Sequence, residues 1–178
     1  VLVRTNADAV REVMDATSAG RSVRLVGGKS EIVAFAEAAS QLKAGRRTSH
    51  HDLAVFPDWD AVQEYVTHPE GEELKMLVRL VDRFGPETII AALNETIDNP
   101  RADLTVSTVH KAKGLEWPSV AVRGFDPPGV NRETGELLPI PRAQAMQLYV
   151  AVTRAQLVLD ATGLEALYPH MAQREGVY

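Results

Sequence analysis

Two periodicities alternate along the chain. Val1-Leu2-Val3 is a continuous apolar triplet, and Arg4-Thr5-Asn6-Ala7 after it reads as a strand running into an asparagine N-cap. Val10, Val13 and Met14 then fall at helical spacing until Gly20 stops the run. Ser22 to Val26 is a second short strand, closed by Gly27-Gly28. Ser30 is placed to cap a helix whose apolar face holds Ile32, Val33, Phe35, Ala36 and Ala39. The middle of the chain is helical in pattern. Asp58 or Asp60 opens one helix through Val62 and Tyr65, and Leu74, Leu77, Val78, Leu80 and Val81 mark a second. Ile89, Ile90, Leu93 and Ile97 mark a third, separated from the second by Gly85-Pro86. From Leu104 strands return, over Leu104 to Thr108 and Ser119 to Val122. Pro127 to Pro141 holds four prolines and reads as loop or hairpin. A helix over Ala143 to Thr153, a strand over Leu157 to Leu159 and a closing helix over Leu164 to Tyr168 complete the pattern. Strands alternating with helices predict an α/β fold, a mainly parallel sheet flanked by helices with a short helical insertion.

Composition narrows the class. A chain of 178 residues, 45% hydrophobic and 24% charged, can bury a core of its own and is neither disordered nor fibrous. The absence of cysteine removes disulfides, thiolate metal sites and cysteine nucleophiles together. No apolar run approaches the ~18 residues of a membrane span, so a soluble, cytoplasmic protein with no membrane partner is expected. Opening on Val1, inside a strand, suggests a piece of a longer protein. The net charge of −5 argues against coating nucleic acid by charge alone. That charge is unevenly spread: residues 1–50 carry +3, residues 51–100 carry −8 and the remainder is neutral. Three segments are therefore expected: 1–50 and 104–178 as two parts of one α/β domain, and 51–103 as an acidic helical insertion or subdomain.

Candidate chemistry is concentrated in few places. Gly28-Lys29-Ser30 lacks the earlier glycine of a phosphate loop, since Val23 stands there, and reads as a turn. His50-His51-Asp52 and His68 read as solvated loop, the adjacent histidines pointing apart, and no metal is expected. The richest stretch runs from Ser107 to Pro118. There a strand ends in two hydroxyl residues and passes into a turn with His110, Lys111, Lys113 and Gly114. At the carboxyl end of a parallel strand such groups suit a phosphate or a nucleic-acid backbone, and Glu116 suits a ribose hydroxyl. A capped, charged surface helix would read the same way. Further on, Arg154 closes an amphipathic helix, where it either opposes the helix dipole or reaches a transferring phosphoryl group.

Thr108-Val109-His110-Lys111-Ala112-Lys113-Gly114-Leu115-Glu116-Trp117 resembles motif V of the UvrD/Rep/PcrA helicases, and Leu148-Tyr149-Val150-Ala151-Val152-Thr153-Arg154-Ala155 resembles their motif VI. Leu2 to Ala7 with Val26-Gly27-Gly28 is similar to an earlier strand–helix–strand of the same domain. The short stretch between Gly28 and Leu104, and Trp117 after Glu116, resemble the F-box DNA helicase branch or a reduced bacterial relative. The resemblance implies the C-terminal RecA-like domain of an ATP-dependent DNA helicase that translocates on single-stranded DNA. It implies ATP with Mg in a cleft shared with an N-terminal RecA-like domain of the same protein, which would hold most of the Mg. By resemblance, Arg154 is the catalytic arginine finger, Glu116 meets the ribose, and Lys113 and Gly114 shape the nucleotide-side loop. Thr108 and His110 would face the DNA, with Arg4, Thr5 and Asn6 on the same groove edge. The chain has no G-x-x-x-x-G-K-[ST] and no strand-ending Asp-Glu pair, so by itself it is expected not to hydrolyse ATP. The alternative is a helicase-derived module that binds DNA or a protein partner without catalysis.

Overall fold

The computed structural model of the chain describes residues 1–172. Its strands are β1 (Leu2–Val3), β2 (Val23–Val26), β3 (Leu104–Thr108), β4 (Trp117–Arg123) and β5 (Ala155–Asp160). They form one sheet in the order β2-β3-β1-β4-β5, every pairing parallel. The expected α/β architecture with a parallel, helix-flanked RecA-like sheet is present. The helices are α1 (Asn6–Ser18), α2 (Lys29–Lys43), α3 (Trp59–Tyr65), α4 (Glu72–Phe84), α5 (Pro86–Asn94), α6 (Arg142–Val152) and α7 (Tyr168–Ala172). A 3-10 turn over Thr162–Leu167 leads into the last. The expected segment 104–178 thus runs six residues past those described.

Strand alternation sorts the core into two layers. Val3, Val23 and Val106 point to one face and pack with α1, α2 and residues of α3, α4 and α5. Leu2, Val120 and Val122 point to the other, with Phe125, Leu148, Ala151, Leu164 and Leu167. Register fixes this split: Leu2 stands beside Ser107 and Val122, while Val23 stands beside Leu104. The helices from the acidic middle therefore share a core with α1 and α2, through buried Val62, Val78, Ile89 and Leu93.

Two helix starts differ from the sequence reading. The cap of α1 is Thr5 rather than Asn6. Its hydroxyl accepts from the Asp8 N–H at 3.1 Å while the Asp8 carboxylate accepts from the Thr5 N–H at 3.2 Å. That reciprocal capping box outweighs the intrinsic N-cap preference of asparagine. The cap of α2 is Gly28, in the left-handed region, so Ser30 already lies within the helix. Asp58 caps α3 as read, with its carboxylate on the Ala61 N–H at 2.9 Å. Ile97 falls beyond α5; its N–H donates to the Val23 carbonyl, and its side chain is exposed.

Candidate nucleotide and nucleic-acid site

The Thr108–Trp117 segment does not stay at one edge of the sheet. Thr108 and Arg123 both stand beside Val3, so the carboxyl ends of β3 and β4 are level. Trp117, at the start of β4, lies six residues back, roughly 20 Å away at the rise of a strand. Residues 109–116 must therefore cross the sheet face. They do so with Val109 and Ala112 buried against Val120, Val122, Leu148 and Ala151. This corrects the placement of the whole stretch at carboxyl ends. Thr108, His110 and Lys111 lie at that edge, but Glu116 and Arg154 lie at the amino ends of β4 and β5.

At the amino edge the two distant motifs are tied together. The Trp117 N–H donates to the Arg154 carbonyl at 3.0 Å. The Arg154 guanidinium donates to the Val150 carbonyl at 3.0 Å, the Leu115 carbonyl at 3.4 Å and the Thr153 hydroxyl at 3.0 Å. Among the described residues it has no carboxylate partner, so its charge faces only neutral acceptors. Beside it the Glu116 carboxylate accepts from Gln156 Nε2 at 3.2 Å and is otherwise exposed. Lys113 is exposed, and Gly114 has a φ of 81° with open space around it, so its backbone shape rather than crowding selects glycine. An exposed carboxylate and an uncompensated guanidinium on adjoining loops suit a ribose hydroxyl and a phosphate. The donor set fits a nucleotide.

At the carboxyl edge Thr108 is buried, and its carbonyl accepts from the N–H groups of Lys111 and Ala112. His110 is exposed, with Nε2 3.4 Å from Gln147 Nε2 of α6. Thr5 is spent on the cap of α1, where its hydroxyl also donates to Asp8 at 2.6 Å. Arg4 Nε is buried with no hydrogen-bond partner among the described residues, and so is Lys111 Nζ. The Lys111 stem lies across Gly27, its Cδ 3.0 Å from where a Cβ would stand, and its ammonium rests over Gly28. Its nearest carboxylate is Glu31 at 3.8 Å. Spacing grouped Lys111 with the phosphate-suited residues of its turn but not with Gly27 and Gly28, because nothing local in sequence announces that β2 and β3 are neighbours.

His50 and His51 do not point apart. Their rings stack at 4.6 Å with planes 23° apart, and the edge of His50 meets Phe35 at 5.7 Å. Ligand atoms of His50, His51 and Asp52 lie within 4.8 Å of one another. Face-to-face rings do not converge on one point, however, and His50 Nδ1 already accepts from the Asp52 N–H at 3.3 Å. Burial, and then the neighbouring imidazole of His51, hold the His50 pKa below its ordinary 6.5 against the opposing Asp52 charge. His50 is therefore neutral at pH 7.

Residues 35–162 match the family model of the UvrD-like helicase C-terminal domain. The chain belongs to that family. It is 28% identical over 144 residues to F-box DNA helicase protein 1 of Schizosaccharomyces pombe, a match covering 69% of this chain and 16% of that protein. It is 31% identical over 109 residues to F-box DNA helicase 1 of Gallus gallus, covering 55% of this chain and 11% of that protein. The family match spans the loop crossing the sheet, α6 and β5, and so includes Thr108, His110, Glu116 and Arg154, while Arg4, Thr5 and Asn6 lie before it. No helix among the described residues is long and apolar enough to cross a membrane.

Proposed function

We propose that this UvrD-like helicase C-terminal domain is one half of an ATP-dependent motor that translocates on single-stranded DNA. It would complete an ATP·Mg site with an N-terminal RecA-like domain of the same protein. The bound nucleotide supplies the phosphoanhydride bond whose hydrolysis drives movement, and most Mg contacts belong to the other domain. In this chain Arg154 turns its guanidinium from carbonyl acceptors toward the terminal phosphate, where it offsets charge developing in the transition state. Glu116 accepts from a ribose hydroxyl, while Lys113 and Gly114 shape the loop beside it. Thr108, His110, Arg4, Thr5 and Asn6 line the groove edge for the DNA strand. Residues 51–103 serve as a helical insertion between the two parts of the domain.

The observation that carries this reading is the crossing loop. One continuous segment runs from the groove edge at Thr108 to the nucleotide edge at Glu116 and is bonded there to Arg154. Closure around a nucleotide therefore moves the same segment that meets the strand, which is what a translocating motor requires. The test is single-strand-stimulated ATP hydrolysis by the intact parent protein, wild type beside Arg154→Ala. Loss of roughly 10³-fold or more is expected from removal of an arginine finger. Retention of more than about a tenth of the rate would contradict that role, and a wild type without turnover would leave a non-catalytic binding module.

A further inference from the structure

Away from the motor site, residues 46–50 form no helix, strand or turn, and both ends of this stretch are fixed. At its start Gly45, with a φ of 68°, closes α2. The Gly45 N–H donates to the Leu42 carbonyl at 3.0 Å and the Arg46 N–H to the Gln41 carbonyl at 2.9 Å. At its end the His50 carbonyl accepts from the N–H groups of Leu53 and Ala54, and Leu53 is fully buried. Between these anchors the backbone of Arg47, Thr48 and Ser49 makes no hydrogen bond among the described residues. Another protein can therefore take up this stretch without breaking any pairing. Its side chains form a pattern. Arg46-Arg47 is the one pair of adjacent arginines in the chain. Both are exposed, and among the described residues neither has a carboxylate within ion-pair distance. Ser49 follows two residues after Arg47; it is exposed, and its hydroxyl makes no hydrogen bond among the described residues. Thr48 beside it is half-buried, and its hydroxyl already accepts from the His50 N–H at 3.3 Å.

We propose that Ser49 is the phosphoacceptor of an arginine-directed protein kinase, and that its phosphate repels DNA from the groove edge. Guanidinium groups two and three residues ahead of a free hydroxyl suit carboxylate pockets beside a kinase's acceptor position, each filled by a bidentate, charge-assisted pair. Ser49 Oγ attacks the terminal phosphorus of the kinase-bound ATP. The bond from that phosphorus to the ADP oxygen breaks, and the hydroxyl proton passes to the kinase's base. The product carries about −1.5 to −2 charges at pH 7. It stands next to His50, which lines one cleft together with Asn6. Asn6 belongs to the edge assigned above to the DNA strand, so the phosphate brings like charge to the strand's path. The repulsion rests on the DNA-translocase reading; the acceptor site stands without it.

The test has two arms. In the first, native chain is incubated with labelled ATP and the catalytic subunit of a cyclic-nucleotide-dependent kinase, an arginine-directed enzyme, beside a free peptide of residues 43–52. A single phosphate per chain is expected, at a rate similar to that of the peptide, and none in Ser49→Ala. Arg46→Gln and Arg47→Gln should each slow labelling about tenfold, the scale of one lost charge-assisted bond. A labelled peptide beside an unlabelled native chain, or label that persists in Ser49→Ala, would overturn the acceptor site. Arginine variants that label at the wild-type rate would do the same. In the second arm, phosphorylated chain should bind labelled oligothymidylate roughly fivefold more weakly than unmodified chain at low ionic strength, a gap that closes at high salt. Equal affinities at low salt would overturn the repulsion and leave the acceptor site standing. Unmodified chain that binds no oligothymidylate would overturn the DNA reading and the repulsion with it, while the first arm still decides the acceptor site. Ser49 and both arginines are exposed, so their variants are expected to keep the wild-type circular dichroism spectrum.

Discussion

A Cβ on Gly28 would strike the Lys111 ammonium, and the backbone there has a φ of 81°. Both facts come from one residue pair 83 positions apart in sequence, and they make separable demands. Gly45 has a similar φ of 68° with open space around it. Gly28→Ala and Gly45→Ala should therefore share the cost of a left-handed alanine, about 1 kcal/mol. Gly28→Ala should cost more, because Lys111 must leave its seat. Thermal denaturation of the two variants checks this, and equal shifts in Tm would mean that Lys111 yields freely. In sequence Gly28-Lys29-Ser30 read as a turn; the chain does turn at Gly28, but Lys29 and Ser30 already belong to α2. That the turn is also a cradle for a lysine depends on β2 and β3 being adjacent, which no local pattern encodes.

Helices α2, α3 and α4 are held by a polar knot around Asp82. Its carboxylate accepts from Trp59 Nε1 at 2.7 Å and Gln63 Nε2 at 2.8 Å, and Lys43 Nζ lies at 3.4 Å. Burial raises the Asp82 pKa, but the bonds from Gln63 and Trp59 and the Lys43 charge outweigh it and hold it below the ordinary 3.8. Trp59 is only 4% exposed, so deleting its acceptor leaves an indole N–H buried without a partner. Asp82→Ala is expected to destabilise the fold by about 1–3 kcal/mol at neutral pH. A depressed carboxylate pKa means that the unfolded state binds the proton more readily. The contribution is therefore full above the ordinary value and lost as pH falls through the folded one. Urea denaturation of wild type and variant should give a constant gap at neutral pH that narrows in strong acid. A gap that widens on acidification would show that the knot is not held by the ionised carboxylate. Helical spacing in the acidic middle located all three of its helices, but not this knot, whose members come from two of them and from α2.

Across the whole molecule, β5 stands at the edge of the sheet with its apolar residues uncovered. Leu157 is 82% exposed, and Val158 and Leu159 are also exposed, as are Met146 and Tyr149 on neighbouring α6. A hydrophobic edge strand of this kind templates association with other strands. The chain by itself is expected to self-associate as its concentration rises, and Leu157→Lys should suppress this in sedimentation velocity while leaving the unfolding free energy within about 0.5 kcal/mol of wild type. A variant that self-associates like wild type would place the sticky surface elsewhere. In sequence, Leu157 to Leu159 read simply as a final strand, because an apolar run looks the same whether its faces are covered or not.

What the sequence determined by itself was what short-range physics controls. Strand and helix positions followed from period and caps, the parallel α/β class from their alternation, and the helicase motifs from Thr108 to Trp117 and Leu148 to Ala155. Only the tertiary structure decided how those pieces divide the work. Sheet order put β1 between β3 and β4, so eight residues had to cross a face, which separated Thr108 and Lys111 from Glu116 and tied Arg154 to Leu115. It stacked His50 on His51 where spacing had set them apart. The physical reason is the same in each case: residues distant in sequence meet only once the sheet has chosen its neighbours, and that choice is made by burial of the whole core rather than by any local pattern.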